Sequence, residues 1–483
     1  MVTSSTDRQQ RQPITIASAP GKVLVTGGYL VLDQQYTGLV IGTSARFYTV
    51  IRTLGGDKAQ GTIKVRSPQF NQATWEYTAS VSQENTLLFA PKPSESSNKF
   101  VQTCLRFALI VVLQSMDVTL FNQILKEGLD ISIVGDNDFY SQREELEKLG
   151  LSIKKASSRE QLTAFCDTHA TLGSVNKTGL GSSAALTTSL VAALFLHFGV
   201  LSDLDQEKNL TLVHNVAQFV HCFAQGKVGS GFDVSAAVYG SHRYQRFDPS
   251  ILAPIMDENV DPTVLNKALS HDNNRWDNKV LSISLPPRFQ MILADIDAGS
   301  HTPTLVSKVL KWHKEQPEKA NKLWNELGAY NSKVEQHFRD LKSASTNDES
   351  AYTESLAELA QLPASQWAKG SSDNKVQQLM VDLVTDFTKV RELLQQMSAA
   401  TGVPIEPTEQ TELLDQCMAV PGTVMAGVPG AGGYDAIYCI VLSDEAKESV
   451  HQIWEQWAGC SVSPLLCQAD SKGVTVVDPK ADS

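Results

Sequence analysis

The chain has 483 residues, a length that points to about two domains. Apolar residues make up 42 % and charged residues 19 %, enough to bury an ordinary globular core, so disorder is not the default. Lys and Arg number 41 against 53 Asp and Glu, and the net charge of −12 excludes general nucleic-acid binding, which needs a basic footprint. Seven cysteines without a CxxC argue against a disulfide framework or a zinc site and for a reducing compartment.

The polar start MVTSSTDRQQRQ lacks the apolar stretch of a secretory signal. FALIVVL (107–113) and LVAALFLHFGVL (190–201) fall short of the ~18 residues a membrane span needs and read as buried core. The chain is therefore expected in the cytoplasm, with no membrane partner.

Residues 14–18 predict a first strand, followed by a turn at APGK. Residues 38–54, 62–67 and 73–80 continue the β signal with β-branched and aromatic residues. A Pro/Ser loop (91–99) leads to a helical pattern, and 129–136 reads as another strand. The charged stretch 141–162 predicts an exposed, partly helical excursion. A Gly/Ser loop at 177–183 opens a helix running to about Phe198, and a second helix is expected over 205–225. The segment 248–278, rich in Pro, Asp and Asn, is the expected domain junction. Strands resume over 281–297, helices over 303–342 and 350–400, and a Gly-rich loop plus a strand over 421–443.

Four segments carry chemistry. In Lys177-Thr-Gly-Leu-Gly-Ser-Ser-Ala-Ala, two glycines let the backbone approach a ligand, and a helix N-terminus comes at once. The serine hydroxyls are hard oxygen donors suited to Mg²⁺. The competing readings are a plain helix cap and the dinucleotide fingerprint Gly179-x-Gly181-x-x-Ala184 with Asp203 and Asp205 downstream. Those aspartates come directly after the helix, leaving no room for the second strand the fingerprint requires. Lys22, in Ala-Pro-Gly-Lys, sits at the predicted turn, where a cation could neutralise a transferring phosphoryl group or simply face solvent. Gly226-Lys-Val-Gly-Ser-Gly-Phe-Asp233 ends on an aspartate that is either a helix N-cap or a functional carboxylate. Gly427-Val-Pro-Gly-Ala-Gly-Gly-Tyr-Asp435 offers a second backbone nest for an anion.

Together and in this order, PGK, GLGSSAA and GxPGAGG-D resemble the three motifs of the GHMP kinases, over residues 16–442. GGYLVL after PGKVLVT, GKVGSGFDV, and DISIVGDNDFYS resemble the branch that phosphorylates phosphomevalonate, in its fungal type. The resemblance implies an α+β, two-domain fold. Residues 13–247 would form an N-terminal ATP-binding domain with a left-handed βαβ unit, and 279–475 a ferredoxin-like C-terminal domain. ATP and Mg²⁺ are the implied cofactors and phosphomevalonate the small-molecule partner, with the protein acting as a monomer or weak homo-oligomer. By matched position, Lys177, Gly179, Leu180, Gly181, Ser182, Ser183 and Ala184 would hold the ATP phosphates, with Ser182 or Ser183 on Mg²⁺. Lys22 and Asp233 would be catalytic, facing the acceptor with Ser230. Gly430, Ala431, Gly432 and Gly433 would line the acceptor side, and Asn98 would touch adenine or ribose. Several family members place a metal-binding Glu on the helix before the aspartate motif, but residues 213–227 contain no carboxylate here. His214 and His221 on that helix read as packed or surface residues.

Overall fold

The computed structural model describes residues 14–56, 59–93, 96–296, 302–367 and 374–478. Residues 14–26 form one strand rather than strand, turn, strand. Ile14–Thr26 pairs antiparallel with Thr37–Thr53 along its length, with register shifts at Pro20/Lys22 and Leu24/Thr26. Proline has no N–H to give to a ladder, and a bulge absorbs that defect without breaking the strand. Thr37–Thr53 also pairs with Leu129–Gly135, which lies parallel to Thr62–Arg66; Thr74–Val81 and Leu87–Pro91 complete that edge. The alternation in Leu129–Gly135, buried at every second residue, is the period of a strand with one covered face.

The covering layer is helical. Ser182–His197 is buried on nearly all sides, as its continuous apolar run requires, and its Ser189 hydroxyl bonds Thr49 of the sheet at 2.9 Å. Lys99–Ser115 and Glu207–Gln225 pack against it. Residues 107–113 and 190–198 are thus buried almost throughout, and among the described residues no helix is long and apolar enough to cross a membrane.

The expected junction 248–278 is more ordered than its composition suggested. It carries the helix Pro262–Leu269, capped by Asp261, whose buried Leu265 and Leu269 belong to the core shared with Lys99–Ser115. Strand Lys279–Ser282 pairs with His242–Gln245 of the first sheet. The far C-terminus returns to that sheet as well: Ala469–Asp470 and Thr475–Val476 pair with its two long strands.

The second sheet is antiparallel, in the spatial order Thr423–Gly427, Ala436–Val441, Gln290–Ile296, Val462–Leu465. Numbered along the chain this is 2-3-1-4, and helices connect strands 1 to 2 and 3 to 4, giving the ferredoxin-like βαββαβ order. Thr408–Met418 and Asp444–Gln456 cover one face; Pro317–Asn347 and Lys375–Thr401 lie on the other.

Buried Glu335 fixes the two halves together. It accepts from Thr37 Oγ1 at 2.9 Å and from Arg243 Nε at 2.8 Å. Such a pair is costly to break, because the remaining charge is left buried and unpaired. The excursion 141–162 is partly helical and largely exposed, as expected, but it is also docked on the rest of the protein. Leu146 is fully buried, and Arg159 bonds both Asp138 and Ser463 Oγ of the second sheet.

Candidate active site

A cleft of about 780 Å³ opens between the two halves. Its floor is the loop before Ser182–His197. The approach to that loop is anchored by backbone bonds: Ser141 N–H donates to Asn176 O at 2.9 Å, and Thr178 N–H to Phe139 O at 3.3 Å. Gly179 and Gly181 then take φ of 78° and 81°, a region most side chains avoid. The loop spends its carbonyls inward. Gly179 O accepts from Lys22 Nζ at 2.8 Å, Leu180 O from Lys22 N–H at 3.0 Å, and Gly181 O from Ala184 N–H at 3.1 Å. Among the described residues, no N–H from Gly179 to Ser183 donates to a backbone carbonyl. Five consecutive donors at a helix N-terminus make an anion cradle.

Lys22 enters from the bulge in the first strand, and its side chain runs across Gly181, where an added Cβ would come within 3.1 Å of its Cε. Burial pushes its ammonium below the ordinary value, while the Asp233 and then the Asp435 carboxylates push it back up. Phe232 lies beneath it, 5.2 Å from Nζ to ring centre. Lys177 also lines the cleft, its pKa lowered by burial.

Ser182 interacts with the Tyr140 hydroxyl, and Ser183 Oγ lies 3.1 Å from His221 Nε2. Asp233 is in the first turn of Phe232–Tyr239, whose N-cap is Gly231, so it is not the cap residue. Its Oδ2 lies 3.8 Å from His221 Nε2. Ser230 lines the cleft and gives its carbonyl to Tyr244 Oη. The second domain contributes Asp295, from strand Gln290–Ile296, and Asp435, from the loop just before the neighbouring strand Ala436–Val441.

The cleft thus unites Lys22, Lys177, Gly179, Leu180, Gly181, Ser182, Ser183, Ser230 and Asp233. Three groups of expected residues do not line the cleft. Ala184 is fully buried and its N–H is already bonded within the helix. Asn98 does not line the cleft; its carboxamide oxygen caps Lys99–Ser115 by accepting from Phe100 and Val101 N–H. Gly430, Ala431, Gly432 and Gly433 do not line it either, because they pack on the end of the first strand and on Ile405: Gly430 N–H donates to Leu24 O, Gly433 N–H to Ile405 O, and Tyr29 Oη to Ala431 O. Residues missed from sequence are His221, Gln225, Asp295 and Asp435. Asp435 closes the third motif and could have been singled out there. His221 and Gln225 sit at i, i+4 directly ahead of the glycine turn, a spacing that places them on one helix face.

The family models described as GHMP kinases N terminal domain and GHMP kinases C terminal match residues 141–241 and 379–459. A peroxisomal phosphomevalonate kinase of Arabidopsis thaliana is 37 % identical over 489 residues, covering 95 % of each chain. The phosphomevalonate kinase of Aspergillus fumigatus is 36 % identical over 482 residues, covering 92 % of this chain and 90 % of its own. Among solved structures, the Lin0012 protein of Listeria innocua superposes with a TM-score of 0.66 at 15 % identity, covering 96 % of this chain and 99 % of that one. Streptococcus pneumoniae phosphomevalonate kinase in complex with phosphomevalonate and AMPPNP superposes at 0.56 and 13 %, covering 94 % and 99 %. With a cleft of this composition and relatives that match almost end to end, the chain belongs to the GHMP kinase family, alongside its phosphomevalonate kinases.

Proposed function

We propose that this protein catalyses the ATP-dependent phosphorylation of (R)-5-phosphomevalonate to (R)-5-diphosphomevalonate, releasing ADP, in the mevalonate pathway of isoprenoid and sterol biosynthesis. The observation that carries the reading is the convergence of Lys22, the Gly179–Ser183 cradle and Asp233 on one cleft. The named activity of the full-length relatives supplies the acceptor.

Phosphoryl transfer asks for positioning and charge neutralisation more than for covalent chemistry. The cradle holds the ATP phosphates on its N–H groups, and Lys177 adds a cation beside them. Lys22, fixed by Gly179 O, bridges the transferred group and the acceptor. The acceptor is a phosphate monoester with a second pKa of about 6, so it is already mostly an oxyanion at neutral pH. Asp233 need not remove a proton; it orients Lys22 and the acceptor.

Mg²⁺ fits the donor set. Ser182, Ser183 and Asp233 would offer it hard oxygens, beside phosphates and waters. Among the described residues no cluster of three or more His, Cys, Asp or Glu is placed to hold a metal. When bound, it neutralises charge on the phosphates.

We place the enzyme in the cytoplasm, as a monomer or weak homo-oligomer. The seven free cysteines support a reducing compartment, whereas the Arabidopsis relative is named peroxisomal. Cell fractionation with a peroxisomal marker decides between the two, and sedimentation reads the assembly state.

The activity test is coupled ADP release with Mg–ATP and either phosphomevalonate or mevalonate. Turnover with phosphomevalonate alone is expected. Turnover with mevalonate would keep the family and overturn the acceptor.

A further inference from the structure

Residue 221 lies where the helix Glu207–Gln225 meets the cleft, and it is an imidazole, not a carboxylate. His221 is 4 % exposed. Three groups surround its Nε2: Ser183 Oγ at 3.1 Å, Gln225 Nε2 at 3.2 Å and Asp233 Oδ2 at 3.8 Å. The Phe100 ring lies 5.5 Å away, tilted by 37°, and holds the imidazole plane. The helix bearing Phe100 is itself fixed by the Asn98 cap.

With the amide nitrogen of Gln225 turned toward it, and amide nitrogen being only a donor, His221 Nε2 stands as an accepting nitrogen. Asp233 Oδ2, at 3.8 Å, lies beyond hydrogen-bond distance and does not compete for a proton there. His221 Nε2 has one lone pair, and the Ser183 hydroxyl, the nearer donor at 3.1 Å, takes it, with Gln225 sharing it from the side. A hydroxyl whose proton is committed behind it presents only lone pairs in front. Lone pairs are what a hard cation coordinated to nucleotide phosphates takes, and a freely rotating hydroxyl offers them only part of the time.

We propose that His221 is a positioning residue: it accepts the Ser183 hydroxyl and so turns the Ser183 oxygen toward the magnesium–nucleotide. The proposal rests on the kinase reading of the cleft and not on the identity of the acceptor. It gives the carboxylate-free stretch 213–227 a role in holding the nucleotide without making it a metal ligand.

The test is a double-mutant cycle on the full-length protein, read as the binding affinity for Mg–AMPPNP in calorimetry without any acceptor. His221→Phe and Ser183→Ala are each expected to weaken binding about five-fold. The double variant should be no weaker than Ser183→Ala, because without the hydroxyl His221 has nothing left to orient. His221→Gln, which can place a carbonyl oxygen near the lost acceptor, should recover most of the affinity. In the unmodified protein, ¹⁵N NMR of the imidazole should show the proton on Nδ1, a readout that needs no variant to fold. Losses that multiply to about 25-fold in the double variant would overturn the proposal. So would a His221→Gln variant as weak as His221→Phe, or a proton found on Nε2. Absence of turnover with phosphomevalonate would sink the acceptor assignment alone and leave this cycle readable.

Discussion

Two glycine-rich loops reach toward the same cleft, each with glycines alternating around a small or apolar residue: Lys177-Thr-Gly-Leu-Gly-Ser-Ser and Val428-Pro-Gly-Ala-Gly-Gly-Tyr-Asp, the second through Asp435. The first turns its carbonyls inward onto Lys22 and its own helix and leaves its N–H groups without backbone acceptors. The second gives its N–H groups away, Gly430 to Leu24 O, Gly432 to Pro429 O and Gly433 to Ile405 O. It serves as a clasp for the Gly27-Gly28-Tyr29 turn: a Cβ on Gly28 would sit 2.1 Å from Gly430 O. Glycine content therefore does not identify an anion cradle. The destination of the N–H groups does, and the next element in the chain decides it, a helix start after the first loop and a paired strand after the second.

Breaking the cradle side should cost the most activity. Lys22→Met keeps the stem over Gly181 and Phe232 but removes the charge aimed at the phosphates. The expected loss in kcat is about 10²- to 10³-fold, typical of removing one transition-state donor. Thermal stability should hold, since burial already disfavours the ammonium in the free protein. A large fall in the melting midpoint would mean Lys22 is structural.

Breaking the clasp side should cost folding instead. A Cβ on Gly432 would lie 2.0 Å from Ile405 O, at φ 67°. Gly432→Ala is expected to destabilise by about 3 kcal/mol, seen in denaturant melts, while the folded fraction keeps its affinity for Mg–ATP. At Gly179, by contrast, the nearest atom to an added Cβ is Asp435 Cβ, at 4.0 Å. Gly179→Ala should cost only about 1 kcal/mol of stability through its φ of 78°, yet weaken nucleotide binding. If both variants lose the same property, the two loops are not doing different jobs.

Asp233→Asn sharpens the comparison within the cleft. Orientation without proton abstraction predicts a loss of about 10- to 100-fold in kcat. The acid limb near pH 6 should remain in the variant, because it belongs to the phosphate acceptor. A wild-type limb that disappears in Asp233→Asn would make Asp233 a titrating base.

The cradle was legible in the sequence because its chemistry is local: glycines, hydroxyls and a helix start lie within seven residues. The rest depends on partners distant in the chain. Pro20-Gly21 reads as a turn, yet Thr37–Thr53 pairs with both sides of it and keeps one strand. Asn98 was expected at the nucleotide, but a local cap on its own helix claimed its oxygen. The charged stretch 141–162 looked solvated because its partners, Ser461, Ser463 and Glu455, lie some 300 residues downstream. His221 was passed over because a lone histidine is usually packing, and only the fold brings Ser183 to it.

His214, seven residues earlier on the same helix, is that ordinary packed histidine and supplies the control. It is fully buried between Tyr239 and Trp276, and its Nδ1 pairs with Asn215 Oδ1 at 3.1 Å. Burial lowers its pKa from 6.5 to about 4. The unfolded chain therefore binds the proton first as pH falls, so the folded state loses stability between about pH 6.5 and 4, by at most about 1.4 kcal/mol per unit from this group. Above pH 6.5 the group contributes no slope. His214→Phe should flatten the fall of the melting midpoint over that window while leaving Mg–AMPPNP affinity at neutral pH unchanged. A His214→Phe variant that binds nucleotide as weakly as His221→Phe would show that both imidazoles act through helix packing, and the distinction between them would fail.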